Sequence, residues 1–474
     1  MQELGEEGFG TYNVVAGFVS MVGFIGTTMT TGIQRFFNFE IGKKGDQAAI
    51  DVYSAAIKIQ MWAALIVIIA FETCGLWYLN SVMNLPTDRM VEINYLYQFA
   101  TISLILHILV VPFNAFVIAK EHMNCYAIIS IIESVSKLCI AYALCLFPQN
   151  RLAIYGFLLL LISLFNFLAY FIYCRRLFPY LKYSKTTENN FVRAILTFSG
   201  WNSLNAVTNI GKSQGVNLLL NYFFGVAINA ANAIVTQIYT AIQLFSLNIC
   251  TAFRPQLVES YAQNNFKRTL SMFYTTTKSA YAMVYMLCIP LYLELPYIIN
   301  LWLGDNVPLY TLDFTAITLL IILAGSLNTP VTMVIYANGN IKYFTLAYSG
   351  ILICLPAGWI AFSLGASPTS IFWITLLLMI LIQVASLIIM KLYIEYSYKE
   401  YLLRVILPII IFSILTPIIP SLIKYYGISD RFIELIVMCV SSLICCSIIA
   451  YMAFLSSEQM NILITKLKKS RFRI

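Results

Sequence analysis

Hydrophobic positions along this chain fall in continuous runs of about 20 residues, the length an α-helix needs to cross the hydrocarbon core of a bilayer. Thirteen such runs can be marked, at residues 10–33, 59–80, 93–118, 124–146, 153–174, 198–223, 229–252, 279–299, 312–336, 343–364, 369–390, 402–423 and 432–455. Lipid offers the backbone no hydrogen-bond partner, so only helices and closed barrels cross it, and barrel strands would alternate in polarity over about 10 residues. The pattern therefore predicts an all-α polytopic membrane protein with short loops. The longest internal polar stretch, within 175–197, predicts a cytoplasmic linker between two halves.

The runs repeat. Sliding the stretch Gly5–Lys44 by 219 places Asn13 on Asn232, Arg35 on Arg254 and Glu40 on Glu259. The register then holds to within a residue: Lys58 matches Lys278, Pro112 matches Pro330, Tyr126 matches Phe344 and Pro148 matches Pro368. This is the mark of a duplicated helical unit. It predicts two pseudo-symmetric bundles in parallel repeat, an N-terminal one at 1–174 with five helices and a C-terminal one at 198–390 with six. Residues 391–474 then add two helices and a basic tail with no repeat partner. In the second copy the helix Trp201–Phe223 comes before the repeated stretch, and its partner would fall upstream of Met1, so the first copy is expected to lack its opening helix.

Composition narrows the class. With 60% hydrophobic and 11% charged residues and a mean hydropathy of +0.81, the chain has more apolar surface than one soluble core can hide. Its basic residues are segregated: one set of loops, with the C-terminal tail, carries 23, whereas Arg89, Arg151, Lys424 and Arg431 make up the opposite set. The positive-inside rule makes the first set and the C-terminus cytoplasmic, and an odd span count leaves Met1 outside. The net charge of +8 suits an anionic leaflet and calls for no nucleic-acid partner. Eleven cysteines lie in or beside apolar runs without CxxC or Cys/His spacing, which reads as packing rather than metal binding, and no cofactor motif appears. Glu3, Glu6 and Glu7 stand where a signal peptide would be basic.

Polar residues inside the runs carry the functional argument. Asn202, Asn205, Asn209 and Lys212 recur at steps of 3, 4 and 3, one face of a helix. In the next helix Asn229, Asn232, Thr236, Tyr239 and Gln243 form a second stripe, and two adjacent stripes argue for a shared hydrated cavity. A cation near midspan costs about 2.5 to 3.5 kcal/mol, so Lys212 must meet water, an acidic side chain or an anionic ligand. Glu133 and Lys137, at i and i+4, can neutralise each other. Glu72 and His107 are the other ionisable groups near midspan, and each is either a satisfied interior residue or a carrier of a coupling proton, for which Glu133 and Lys137 are also candidates. Arg35 and Arg254 sit at equivalent helix ends as topology anchors or anion collectors, with Glu40 and Glu259 five residues on. The "GKS" at Gly211–Ser213 is not a phosphate loop, because position 206 is Ala and the segment lies inside a span. With two histidines and no catalytic motif, the chain is not expected to be an enzyme.

The segments "LGEEGFGTYNVVAGF…QRFFNFEIGKKGD", "PFNAFVIAKEHMNCYAIISIIESVSKL" and "FSGWNSLNAVTNIGKSQGVNLLLNYFFGVAINAANAIVTQI" resemble the polysaccharide-export (Wzx-type) lipid-linked oligosaccharide flippases. That branch belongs to the superfamily containing MATE exporters and the lipid II flippase. The resemblance implies two six-helix halves around a central cavity plus two extra helices, in a bacterial cytoplasmic membrane. It also implies an undecaprenyl-diphosphate-linked oligosaccharide as substrate, with polymerase and glycosyltransferases of the same pathway as partners. Lys212 would then hold the diphosphate, Asn202, Asn205, Asn209, Asn232 and Gln243 would contact sugar, and Arg35 and Arg254 would gather the diphosphate at the inner mouth. A drug or metabolite antiporter of the same fold, and a membrane polymerase or glycosyltransferase, are the rival readings.

Overall fold

The structure, a computed structural model, describes residues 24–81, 89–143, 151–184, 189–304, 307–427 and 430–454; the start of the first span, the repeat position Asn13 and the basic tail lie outside them. Every regular element among the described residues is helical. The helices are α1 Phe24–Lys44, α2 Ala49–Ala70, α3 Met90–Ala119, α4 Met123–Ala143, α5 Arg151–Leu177, α6 Asn189–Phe224, α7 Val226–Ala262, α8 Phe266–Leu293 and α9 Leu295–Leu303. They continue with α10 Thr311–Asn338, α11 Lys342–Ser349, α12 Cys354–Ser363, α13 Ser370–Lys391, α14 Leu407–Leu415, α15 Ile418–Tyr426 and α16 Arg431–Phe454.

Ten of the described helical segments are long and apolar enough to cross a membrane, and α8 with α9, bent by 80°, makes an eleventh. The expected count of thirteen differs for two identifiable reasons. The run 10–33 is described only in part, and the run 198–223 belongs to α6, whose mean hydropathy is lowered by its asparagines and Lys212.

The chain divides into two compact units: Met1–Ala206 with Val258–Asn264, and Val207–Leu257 with Asn265–Ile474. In the first, α3 is the axis, packing on α1, α2 and α5. Its buried stripe, Tyr97, Thr101, Leu104, Ile108 and Val111, recurs every three or four residues, so a regular helix turns all five inward. Gly156 lets α5 approach closely, since a Cβ there would sit 2.8 Å from Leu96 Cδ1. The 178–184 segment of the expected linker is ordered against the same unit: Phe178 packs edge-on to Phe116 at 5.0 Å, and the Ser184 amide donates to Ser54 Oγ at 2.9 Å.

In the second unit α10 carries Pro330 as α3 carries Pro112, and it packs on α8 and α13 as α3 packs on α2 and α5. The paired elements are those that the 219-residue repeat sets in correspondence. The segments without a repeat partner, α14 to α16, pack against α8. Tyr281 Oη lies 2.8 Å from Ser413 Oγ, and Tyr285 Oη donates to the Ser413 carbonyl at 2.6 Å.

One distortion belongs to the sequence locally. Helix α2 passes through a π-helical turn at Phe71–Gly75 and continues to Ser81. The Phe71 carbonyl accepts the Leu76 amide across that turn and, as a second donor, Tyr97 Oη at 2.9 Å. Gly75 is what leaves room for that hydroxyl, because a Cβ at 75 would lie 2.0 Å from it. Gly75→Ala is therefore expected to lower stability by about 1–3 kcal/mol through overpacking. Gly75→Ala with Tyr97→Phe should recover part of the loss, as read by the melting temperature of the purified protein.

Candidate functional site

The second unit holds a cavity of about 470 Å³ lined by α6, α7, α10 and α13 with Tyr348 of α11. Asn209 and Lys212 of the first polar stripe and Asn232, Thr236, Tyr239 and Gln243 of the second all line it. Two helical periodicities read separately thus converge on one space.

The polar groups around the cavity are held by one another. Tyr348 Oη donates to Asn209 Oδ1 at 2.8 Å, Asn232 Nδ2 donates to Asn217 Oδ1 at 2.5 Å, and Tyr239 shares a side-chain hydrogen bond with Gln243. The Thr236 and Thr240 hydroxyls donate back to the carbonyls one turn earlier, each at 2.8 Å. Thr318 Oγ1, by contrast, is buried on the cavity wall with no hydrogen-bond partner among the described residues. Beneath lies a packed apolar layer that includes Val216, Leu220, Val235, Phe314, Ile321 and Phe372.

Lys212 contrasts with Lys137, which meets a carboxylate within its own unit. The electrostatic neighbour of Lys212 is the Cys354 thiol, and no acidic side chain among the described residues stands within ion-pair distance of it. An ammonium in that position is stabilised only by water or by a ligand that enters the cavity. Among the described residues no pairing of Lys212 with a membrane acid, the alternative open at the level of sequence, is present.

The remaining candidates scatter. Asn202 and Asn205 belong to the first unit and are buried in its packing, Asn202 Nδ2 donating to the Thr28 carbonyl at 3.2 Å. Helical spacing put them on the Lys212 face, and the packing around α1 takes them up. Arg35 is 6% exposed. Its guanidinium lies 4.7 Å from the Phe36 ring centre and 4.6 Å from that of Phe39, with Glu40 and Tyr261 as electrostatic neighbours. Nearby Gly42 allows α1 to meet the α7 backbone, a Cβ there lying 3.0 Å from Glu259 Cα. Arg254, in the second unit, has Cys250 and Tyr336 as electrostatic neighbours.

His107, Glu133 and Lys137 line a separate cavity of about 580 Å³ inside the first unit. Lys137 Nζ and Glu133 Oε1 are 2.7 Å apart, and Asn166 Nδ2 donates to Glu133 Oε2 at 2.6 Å. Here the carboxylate is saturated by a cation and an amide. Spacing along α4 identified the pair, but Asn166, contributed by α5, was missed because nothing in sequence ties residue 166 to residue 133. Glu72 stands apart in the π-helical turn, accepting from Gln98 Nε2 at 3.2 Å. Among the described residues no group of His, Cys, Asp and Glu could hold a metal.

No family model and no curated protein matches the chain. Solved structures do. A multidrug-resistance MATE family transporter of the MOP superfamily in an outward-facing conformation superposes with a TM-score of 0.65 at 12% identity, over 81% of this chain and 87% of that one. The MATE transporter ClbM, in complex with Rb+, gives 0.63 at 16% identity over 82% and 91%. A MOP superfamily transporter from Pyrococcus furiosus, described by the reverse polarity of its binding pocket, gives 0.65 at 12% identity over 82% and 88%.

A wet second-unit cavity makes a direct prediction. In a background without native cysteines, Thr236→Cys and Gln243→Cys should react with a small water-soluble thiol reagent, whereas Ala231→Cys, at a fully buried position, should resist; mass spectrometry of the labelled protein reads all three. On the evidence of these superpositions, the chain is an all-helical, multi-span membrane protein with the fold of the MATE transporters.

Proposed function

We propose that this chain is a membrane transporter of lipid-linked glycans, moving an undecaprenyl-diphosphate-linked oligosaccharide such as an O-antigen or capsule repeat unit across the bacterial cytoplasmic membrane by alternating access. The observation that carries the reading is Lys212: an ammonium with no carboxylate partner among the described residues, set among amides and hydroxyls in a cavity of about 470 Å³. Diphosphate supplies the missing anionic partner, and sugar hydroxyls match Asn209, Asn232, Gln243 and the unpartnered Thr318 hydroxyl. The volume falls in the range of about 300–1,000 Å³ usual for ligand pockets. With no ATP-binding motif in the sequence, an ion gradient or the membrane potential would drive transport. Two unpaired spans after residue 398 also agree with the resemblance to flippases.

An ion-coupled drug or metabolite antiporter is the second reading, favoured by the multidrug transporter among the superposed structures. A lone lysine in the cavity opposes it for cationic compounds, since it would repel them. The two readings separate in reconstituted vesicles. Lys212→Gln should reduce translocation of a fluorescent undecaprenyl-diphosphate glycan at least tenfold, the value of one charge-assisted contact of about 1.5–3 kcal/mol, while membrane levels stay normal. Lys212→Arg should retain most of it. Unchanged glycan translocation by the Gln variant, or efflux of a cationic dye with no glycan translocation by the parent protein, would defeat the proposal.

A further inference from the structure

The duplication exposes a difference between equivalent faces of the two units. In the second unit, the face of α8 that carries Tyr281 and Tyr285 is covered by the unpaired helices, and both tyrosines bond to Ser413. An offset of 220 maps Lys278, Tyr281 and Tyr285 onto Lys58, Met61 and Leu65 of α2. That face of the first unit has no such cover among the described residues of its own unit. Met61 and Trp62 are 61% and 60% exposed, and beside them runs a groove of about 610 Å³ between α2 and α3.

The groove has a chemistry and a length. Lys58 and Tyr183 stand at one end; Leu65, Ile68, Ile105 and Leu109 line the remainder. Tyr183 is fixed at that end because the adjacent Ser184 amide bonds to Ser54, one turn before Lys58. The end is also the basic one, since Lys43 and Lys44 close α1 and Arg175 and Arg176 close α5 on that side. Among the described residues no carboxylate pairs with Lys58. From Lys58 to Ile68 the helix rises about 15 Å, half of a hydrocarbon core about 30 Å thick, so the groove runs from one interface to the bilayer midplane.

We propose that this groove is a binding site for an anionic phospholipid of the leaflet on the basic side of the protein. Its phosphate meets Lys58 Nζ and the Tyr183 hydroxyl, and one acyl chain lies along Leu65, Ile68, Ile105 and Leu109. The lipid does for the first unit what α14 to α16 do for the second: it covers an apolar helix face that the repeat leaves open. A single cation with no protein anion, at the interfacial end of a one-leaflet apolar groove, selects a negatively charged headgroup over a zwitterionic one.

Native mass spectrometry of the full chain in detergent, with phosphatidylglycerol or phosphatidylcholine added, tests this. One phosphatidylglycerol should remain bound at collision energies that strip phosphatidylcholine. Lys58→Gln should weaken its retention about tenfold, as expected for one lost charge-assisted contact, and Lys58→Arg should preserve it. Leu65→Trp, filling the groove away from the charge, should also displace it while the helical circular dichroism signal and monodispersity are unchanged. Equal retention of the two lipids, equal retention by the Gln and parent proteins, or displacement of phosphatidylglycerol by equimolar undecaprenyl phosphate would overturn the assignment.

Discussion

An ammonium group within a membrane-spanning helix has to be reconciled with hydrocarbon, and the way each unit does so organises what lies around it. Exposed to lipid tails, such a charge costs several kcal/mol even on the most lenient scale. The first unit solves the problem internally: Lys137 meets Glu133, whose second oxygen takes the Asn166 amide. In the second unit Lys212 has no carboxylate partner among the described residues, and amide and hydroxyl side chains surround it and open onto a cavity. A charge stabilised by fixed partners is inert, whereas one stabilised by exchangeable partners can discriminate among them. The polar network around Lys212 gives it that character, since Asn209, Asn232 and Gln243 are each oriented by a neighbouring side chain before anything binds.

Much of this could be read from the sequence because the relevant signals are periodic. A membrane-length apolar run specifies a helix almost by itself, and a repeat held in register across several helices specifies that the packing pairs will recur, as α3 on α5 and α10 on α13 do. The convergence of the stripes through Lys212 and Tyr239 follows from 3.6-residue geometry on consecutive helices. What periodicity does not encode is which neighbour a polar face meets. Asn202 and Asn205 share the face of Lys212, yet the first is used up on the Thr28 carbonyl of α1, a contact 174 residues distant in sequence. The aromatic flanks of Arg35 are close in the chain and legible as a cation–π arrangement, since Phe36 follows it directly and Phe39 one helical turn later.

The π-helical turn at Phe71–Gly75 illustrates the same limit at the backbone level. Nothing in "FETCG" signals an extra residue in the turn; the Phe71 carbonyl keeps the Leu76 amide as a partner and adds the Tyr97 hydroxyl from α3, within an otherwise apolar layer. In lipid such a satisfied carbonyl is the condition for the distortion to persist. The turn also sets the register of Glu72, whose carboxylate takes the Gln98 amide instead of continuing the apolar stripe.

Duplication followed by addition has a consequence for the surface. Two copies of a helical unit start with the same outward faces, but only one copy lies next to the appended helices in sequence, so only that copy can evolve contacts such as those of Tyr281 and Tyr285 with Ser413. The corresponding positions of the other copy, Met61 and Leu65, remain aliphatic and thioether side chains with no hydroxyl to satisfy, as a face that meets acyl chains requires. The tyrosines of one copy and the aliphatic residues of the other are therefore two answers to one geometric problem. The difference between them identifies which solvent each face meets: protein on α8, and lipid on α2.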